Sequence, residues 1–180
     1  MSQRKKSGNQ SRDILKVPVH TRWGTLELWA TDRGLVRLKF VTGRHSRSRD
    51  RKGLKPQRPG PQIKHAENAI KKYFSGKPIS FGSLKIDWQD KTAFERHVLH
   101  KLSEIGYGHV RTYRDLAGRA GAPKAARAVG SVMRKNPLPI ILPCHRVIRS
   151  DGSLGGYSGG LKLKKRLLDL EKRVSARRCK

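Results

Sequence analysis

Apolar residues change their spacing along this chain, and each change marks an element. From Ile14 to Val19, Thr25 to Ala30 and Leu35 to Val41 they fall in short, largely alternating runs, separated by the turn-formers Trp23-Gly24 and Asp32-Arg33-Gly34. That pattern predicts three strands of a small meander. From Pro61 to Phe74 the period lengthens, and Ile63, Ala66, Ile70 and Phe74 share one face of a helix. Leu84, Ile86 and Trp88 alternate again, which predicts one further strand.

A second unit opens at Thr92, which stands three residues before Glu95 with capping-box spacing, ahead of a helical stripe of Phe94, Val98, Leu102 and Ile105. Thr112 and Asp115 repeat that start signal for a short helix, Tyr113 to Arg119. Gly121-Ala122 then form a turn, and Pro123 suits the first position of a helix running to about Arg134. Two short helices across a glycine turn read as a helix-turn-helix. A last helix, about Leu161 to Val174, carries its stripe through Leu163, Leu167, Leu170 and Val174. The predicted fold is an N-terminal α/β domain, a small antiparallel sheet with one helix, followed by a mainly α C-terminal domain containing the helix-turn-helix. Its divisions are a disordered basic N-terminus over residues 1–12, an α/β domain over 13–89 with a basic loop at 42–60, a C-terminal domain over 90–174, and a basic tail over 175–180.

Charge adds a partner to this picture. Lys and Arg number 42 against 13 acids among 180 residues, a net charge of +29, which draws a protein toward phosphate. In the second helix of the pair, Ala125, Val129, Val132 and Met133 share one face and Lys124, Arg127, Ser131 and Arg134 another. One side can pack while the other meets DNA, although a plain surface helix has the same pattern. Ala125, Ala126, Ala128 and Gly130 are small enough to let that backbone approach a groove closely. No segment approaches the ~20 apolar residues of a membrane span, and the polar start lacks a secretory signal. A soluble intracellular protein is expected, cytoplasmic and nucleoid-associated in a prokaryote or nuclear in a eukaryote.

Only two cysteines are present, Cys144 and Cys179, so neither a disulfide framework nor a multi-cysteine zinc site is expected. Cys144 lies in a stretch from Asn136 to Ile148 whose prolines at 137, 139 and 143 rule out an ordinary central strand. A thiol beside an imidazole invites nucleophilic chemistry, because unassisted cysteine is little ionised at neutral pH. Adjacent side chains in extended chain point apart, so His145 is expected to reach the sulfur through a water. Its other nitrogen needs an orienting acid, and Glu171 flanks the buried stripe of the last helix. Between them lies the glycine-rich run Gly155-Gly156-Tyr157-Ser158-Gly159-Gly160, able to close over a planar ligand or to serve as a plain connector.

Taken together, Thr112-Tyr113-Arg114-Asp115-Leu116-Ala117, Pro123 to Gly130, Asn136-Pro137 through Pro143-Cys144-His145-Arg146-Val147, Tyr157-Ser158-Gly159-Gly160 and Leu167-Leu168 with Glu171 resemble the O6-alkylguanine-DNA alkyltransferase family in order and spacing. The Pro-Cys-His-Arg-Val core is the most specific of these motifs, and the resemblance covers about Thr92 to Lys172.

The resemblance implies that Cys144 accepts the alkyl group, that it reacts as an ionised sulfur within reach of an everted purine, and that His145 draws its proton through a water while Glu171 orients the imidazole. Tyr113 would donate toward the guanine and crowd its 3′ phosphate, and Arg127 would fill the stack. Thr112, Lys124, Ala126, Gly130, Ser131 and Arg134 would complete the DNA-binding surface, entering the minor groove. Asn136 would brace the active-site turn and Pro139 would face the alkyl group. The Cys144 and Val147 carbonyls, with Tyr157, Ser158 and Gly159, would recognise guanine. Double-stranded DNA bearing O6-alkylguanine would be the partner of a monomer that uses no cofactor or metal and is spent after one transfer. Three rivals predict otherwise: a non-catalytic binder of alkylated DNA, opposed by Cys144 itself; a helix-turn-helix regulator or basic architectural protein with an inert Cys144; and a cysteine hydrolase, for which no oxyanion motif is visible.

Overall fold

The computed structural model describes residues 14–41, 60–88 and 90–178. The basic N-terminus, almost all of the 42–60 loop, the boundary at residue 89 and Cys179 lie outside the described residues.

The meander forms as β1 (Leu15–Thr21), β2 (Gly24–Ala30) and β3 (Leu35–Phe40), paired antiparallel in the order β1-β2-β3. Alternation sends Val19, Leu26, Leu28 and Leu38 to one face, and a bulge opposite Trp29 and Ala30 brings Leu35 to it as well; all are buried. α1 (Pro61–Phe74) covers that face with Ile63, Ala66, Ile70 and Phe74. Trp23 and Phe40 meet the Phe74 ring at centroid distances of 5.4 and 6.0 Å. The fourth strand predicted at Leu84, Ile86 and Trp88 does not form. Leu35 N–H donates to Lys85 O and Asp87 N–H to Leu35 O, a single parallel bridge beside β3 and no more. A run this short, next to Pro78 and Gly82, cannot extend the ladder.

α2 (Ala93–Ser103) and α3 (Tyr113–Arg119) begin at Thr92 and Thr112 with both hydrogen bonds of a capping box. Within the first stripe Val98, Leu102 and Ile105 are buried, but Phe94 is 37% exposed, because the first turn of α2 projects past the core. α4 spans Ala126–Arg134, and Pro123 sits in the turn before it, not at its first helical position. Gly121, at φ +69°, ends α3, and the residues up to the N-cap Ala125 complete the turn. Val129, Val132 and Met133 face the core as expected, while Ala125 is half-buried. α5 runs Leu161–Arg178, four residues past its predicted end, since Ser175-Ala176-Arg177-Arg178 contains no helix stop.

Two connections place the site. β4 (Arg111–Thr112) pairs parallel with β5 (Val147–Ile148), bringing the start of α3 beside the residues that follow Cys144. Leu38 N–H of β3 donates to Pro137 O at 2.8 Å, tying the N-terminal sheet to the proline-rich stretch.

Candidate active site

The stretch from Asn136 to Pro143 is held by one side chain. Asn136 is buried, its amide donates to Leu142 O at 2.8 Å, and its amide oxygen accepts from Leu138 N–H at 3.0 Å. Leu142 N–H in turn donates to Leu138 O. This clamp forces buried Ile140 to φ +78°, a conformation that β-branched residues avoid and that persists only where surrounding contacts over-determine it. A 3-10 turn, Cys144–Arg146, follows directly.

That turn separates the side chains of Cys144 and His145. Cys144 lines a cavity of about 450 Å³ together with Tyr113, Ala126, Arg127, Gly130, Met133, Arg134, Arg149, Gly156, Tyr157 and Ser158. His145 is fully buried on the other side against α5. Its Nε2 lies 2.8 Å from Glu171 Oε1, and its Nδ1 has no hydrogen-bond partner among the described residues. Burial, the largest influence, lowers the His145 pKa below its ordinary value despite the carboxylate, so the ring is neutral. With Nε2 donating to Glu171, the lone pair stands on Nδ1.

Glu171 is the centre of this buried network. Besides His145 it accepts from Tyr73 Oη at 2.7 Å, from Gly108 N–H at 3.0 Å, and from Arg146 through Nε and Nη2, each at 3.0 Å. Burial would push the carboxyl up, but hydrogen bonds from His145 and Arg146, together with the Arg146 charge, outweigh it and hold the group at about 2. With the imidazole neutral, the lasting counter-charge is the Arg146 guanidinium. Arg146 Nη1 also donates to Ile105 O.

The sulfur does not rest ionised. Cys144 is 4% exposed, and burial pushes its thiol up to about 11, with smaller opposing pulls from Asn136 and Lys164. An apolar pocket penalises the charged form more than its neighbours favour it, so the thiol is protonated at rest and must lose its proton as it reacts. Tyr113 is likewise raised, by burial first and the nearby Cys144 second, so it remains a proton donor. Its hydroxyl stands 3.5 Å from Gly156 O. A Cβ on Gly155 would come within 3.0 Å of the Tyr113 ring at φ +64°, so glycine is required there.

Eight of the residues singled out from sequence thus meet in one cavity: Tyr113, Ala126, Arg127, Gly130, Arg134, Cys144, Tyr157 and Ser158. Lys124 and Ser131 lie outside it, Lys124 in the exposed turn before α4, and Thr112 serves as the α3 cap. Pro139, Asn136 and Gly159 line a groove that adjoins this cavity and shares Arg134, Tyr157 and Ser158 with it. The Val147 carbonyl is already engaged, accepting from Lys164 Nζ at 2.5 Å.

Sequence reasoning missed three participants. Tyr73 sits on α1 beside Phe74 and reaches Glu171 from the other half of the chain. Arg146 is the fourth residue of the Pro-Cys-His-Arg core, and its charge alone gave no reason to expect burial. Lys164 is 0% exposed and donates to the carbonyls of Val147 and Leu154, and burial pulls its pKa down to about 8. It lies next to Leu163 in the α5 stripe, the one signal that could have found it.

Residues 93–173 match the family described as 6-O-methylguanine DNA methyltransferase, DNA binding domain. A methylated-DNA–protein-cysteine methyltransferase of Methanosarcina barkeri is 39% identical over 88% of this chain and 95% of its own. The chain belongs to the methylated-DNA–protein-cysteine methyltransferases. A Cricetulus griseus methyltransferase of the same name is 38% identical over 78% of this chain and 73% of its own. The crystal structure of Mycobacterium tuberculosis O6-methylguanine methyltransferase superposes with a TM-score of 0.73 at 35% identity, covering 89% of this chain and 93% of the other. A structure of Mycobacterium tuberculosis OGT in complex with DNA superposes at 0.70, also with 35% identity, over 89% and 92% of the two chains. In this methyltransferase no helix among the described residues is long and apolar enough to cross a membrane.

Proposed function

We propose that this methyltransferase repairs DNA directly, by moving the alkyl group of O6-alkylguanine in double-stranded DNA onto Cys144. The carrying observation is a thiol in the wall of a cavity, followed by a neutral imidazole whose outer nitrogen is anchored on Glu171 and whose inner nitrogen is unpaired. Cys144 gives its proton through one water to His145 Nδ1, and the sulfur attacks the alkyl carbon. The S–C bond forms as the C–O6 bond breaks, leaving the electron pair on guanine. Tyr113 supplies the proton that lets the base depart neutral, and the imidazolium returns a proton to Tyr113. The charge appearing on His145 is met by Glu171, which is already ionised.

DNA binding and alkyl transfer belong to residues 90–174, with α3 and α4 acting as a helix-turn-helix in the minor groove. The small residues Ala126 and Gly130 allow close approach, and Lys124, Ser131, Arg134 and Thr112 hold phosphates. The target atom is inaccessible in a duplex, so the nucleotide must rotate out at a cost of a few kcal/mol, which Arg127 offsets by filling the stack. Tyr157, Ser158 and Gly159, with the Cys144 carbonyl and the remaining lone pair of the Val147 carbonyl, read the guanine. The thioether is not hydrolysed, so each monomer reacts once, without a cofactor, in whichever compartment holds the genome.

Incubation with an O6-methylguanine duplex, followed by intact mass analysis and peptide mapping, tests the reading. A gain of one methyl at Cys144, lost in Cys144→Ala, is expected. An unmodified Cys144 after full exposure to the lesion would sink it.

A further inference from the structure

A groove of about 530 Å³ runs beside the Cys144 cavity, and its described lining holds five cations and no acid. Arg37 and Lys39 come from β3, Lys91 from the segment before α2, and Arg134 and Lys135 from the end of α4. The last two suit the negative pole of a helix C-terminus, but the other three come from unrelated elements and still converge.

Two carboxylates stand by these five cations and offset only part of their charge. Glu27, opposite Lys39 across the β2–β3 ladder, pairs with Lys16 at 2.7 Å. Glu95, whose carboxylate closes the Thr92 capping box, interacts with both Lys91 and Lys135. The groove is also continuous with the alkyl pocket, since Arg134, Tyr157 and Ser158 line both.

We infer that this groove carries the phosphodiester backbone of the DNA whose damaged base lies against Cys144, so that the footprint extends from α4 across to β3 of the N-terminal half. Lysine and arginine charges hold phosphate without reading bases, as repair at any sequence requires. Backbone held on this side adds to the contacts that offset nucleotide rotation. The inference rests on the alkyl-transfer reading.

The test is a full-length Arg37→Gln, Lys39→Gln, Lys91→Gln variant, which leaves the Cys144 cavity untouched. Its reaction with free O6-benzylguanine is expected to match the native rate. The log–log salt slope of its binding to a 24-base-pair duplex is expected to fall by about 2 to 3, since each lost phosphate contact removes about 0.9. A charge-keeping variant, Arg37→Lys, Lys39→Arg, Lys91→Arg, should regain the native slope. An unchanged slope in the glutamine variant overturns the inference, as does a loss that the charge-keeping variant fails to recover. Failure of native protein to take methyl from an O6-methylguanine duplex would instead refute the alkyl-transfer reading, while the slopes still report on the groove.

Discussion

Burial holds the Cys144 thiol at about 11 and the neighbouring imidazole neutral, so the proton must leave the sulfur during the reaction. The native rate with a free-base substrate is expected to be flat from about pH 7 to 9 and to fall where His145 protonates, below its ordinary value of about 6.5. His145→Ala should be slower at pH 7 by about 10²- to 10⁴-fold, the usual contribution of a general base. Its rate should then climb about tenfold per pH unit as direct thiol ionisation takes over. A pH-flat variant would refute the relay. The same residues set the acid limb of stability. Glu171 is depressed in the folded state from 4.5 to about 2, so its contribution, about 3 kcal/mol at 1.36 kcal/mol per unit, is present above pH 4.5 and lost as pH falls toward 2. His145 is depressed too, so its protonation favours the unfolded chain from about pH 6.5 downward. Native protein is therefore expected to lose stability progressively from pH 6.5 to 2 in urea titrations. Glu171→Gln should be weaker at neutral pH and show a shallower acid limb, and parallel acid limbs would contradict the pairing.

The segment Asn136 to Arg146 is an irregular element that owes its shape to a few bonds. Asn136→Ala would leave the buried Leu138 N–H unsatisfied, while the Leu142 carbonyl keeps the bond it accepts from Cys144 N–H. At about 1 to 3 kcal/mol for one such group, an equilibrium loss of that size is expected in denaturant unfolding. A loss under 1 kcal/mol would mean that the clamp does not hold the strained Ile140. Across the cavity, Gly155→Ala would press on the Tyr113 ring. Transfer from O6-methylguanine duplex should slow by an order of magnitude or so while stability falls by about 1 kcal/mol, the cost of a left-handed non-glycine residue; unaltered transfer would place Tyr113 outside the chemistry. Element ends were legible wherever chemistry is local: Thr92 and Thr112 announce α2 and α3 through their capping boxes, and α1 begins at a proline. The start of α4 was not, because a proline before a helix suits the preceding turn as well as the first helical position.

As a whole molecule the chain is a cation of +29, and part of that charge lines the groove and cavity where α4, β3 and Cys144 meet. Arg127→Ala is expected to impair repair of duplex DNA by at least tenfold and to leave reaction with free O6-benzylguanine within twofold, because only the duplex has a stack to fill. Equal losses on both substrates would remove the wedge role. The two halves are coupled through the site itself. Tyr73 of α1 bonds Glu171 of α5, and β3 bonds Pro137. Loosening the N-terminal sheet is therefore expected to reach the relay.

Local periodicity and capping sufficed for the meander, α1, α2 and α3, since those signals act within a few residues. That Cys144, His145 and Glu171 belong together was likewise readable from residue types and order, and the family resemblance added Tyr113 and Arg127. Protonation was not. The same Cys-His pair reads as an active thiolate or a neutral thiol depending on how completely its surroundings exclude water. Nor could one dimension of chain show that Tyr73, Gly108 and Arg146 converge on one carboxylate, or that Lys164 is buried among carbonyls. Hydrogen bonds between residues up to 98 positions apart, and the desolvation that comes with them, exist only once the two halves have packed.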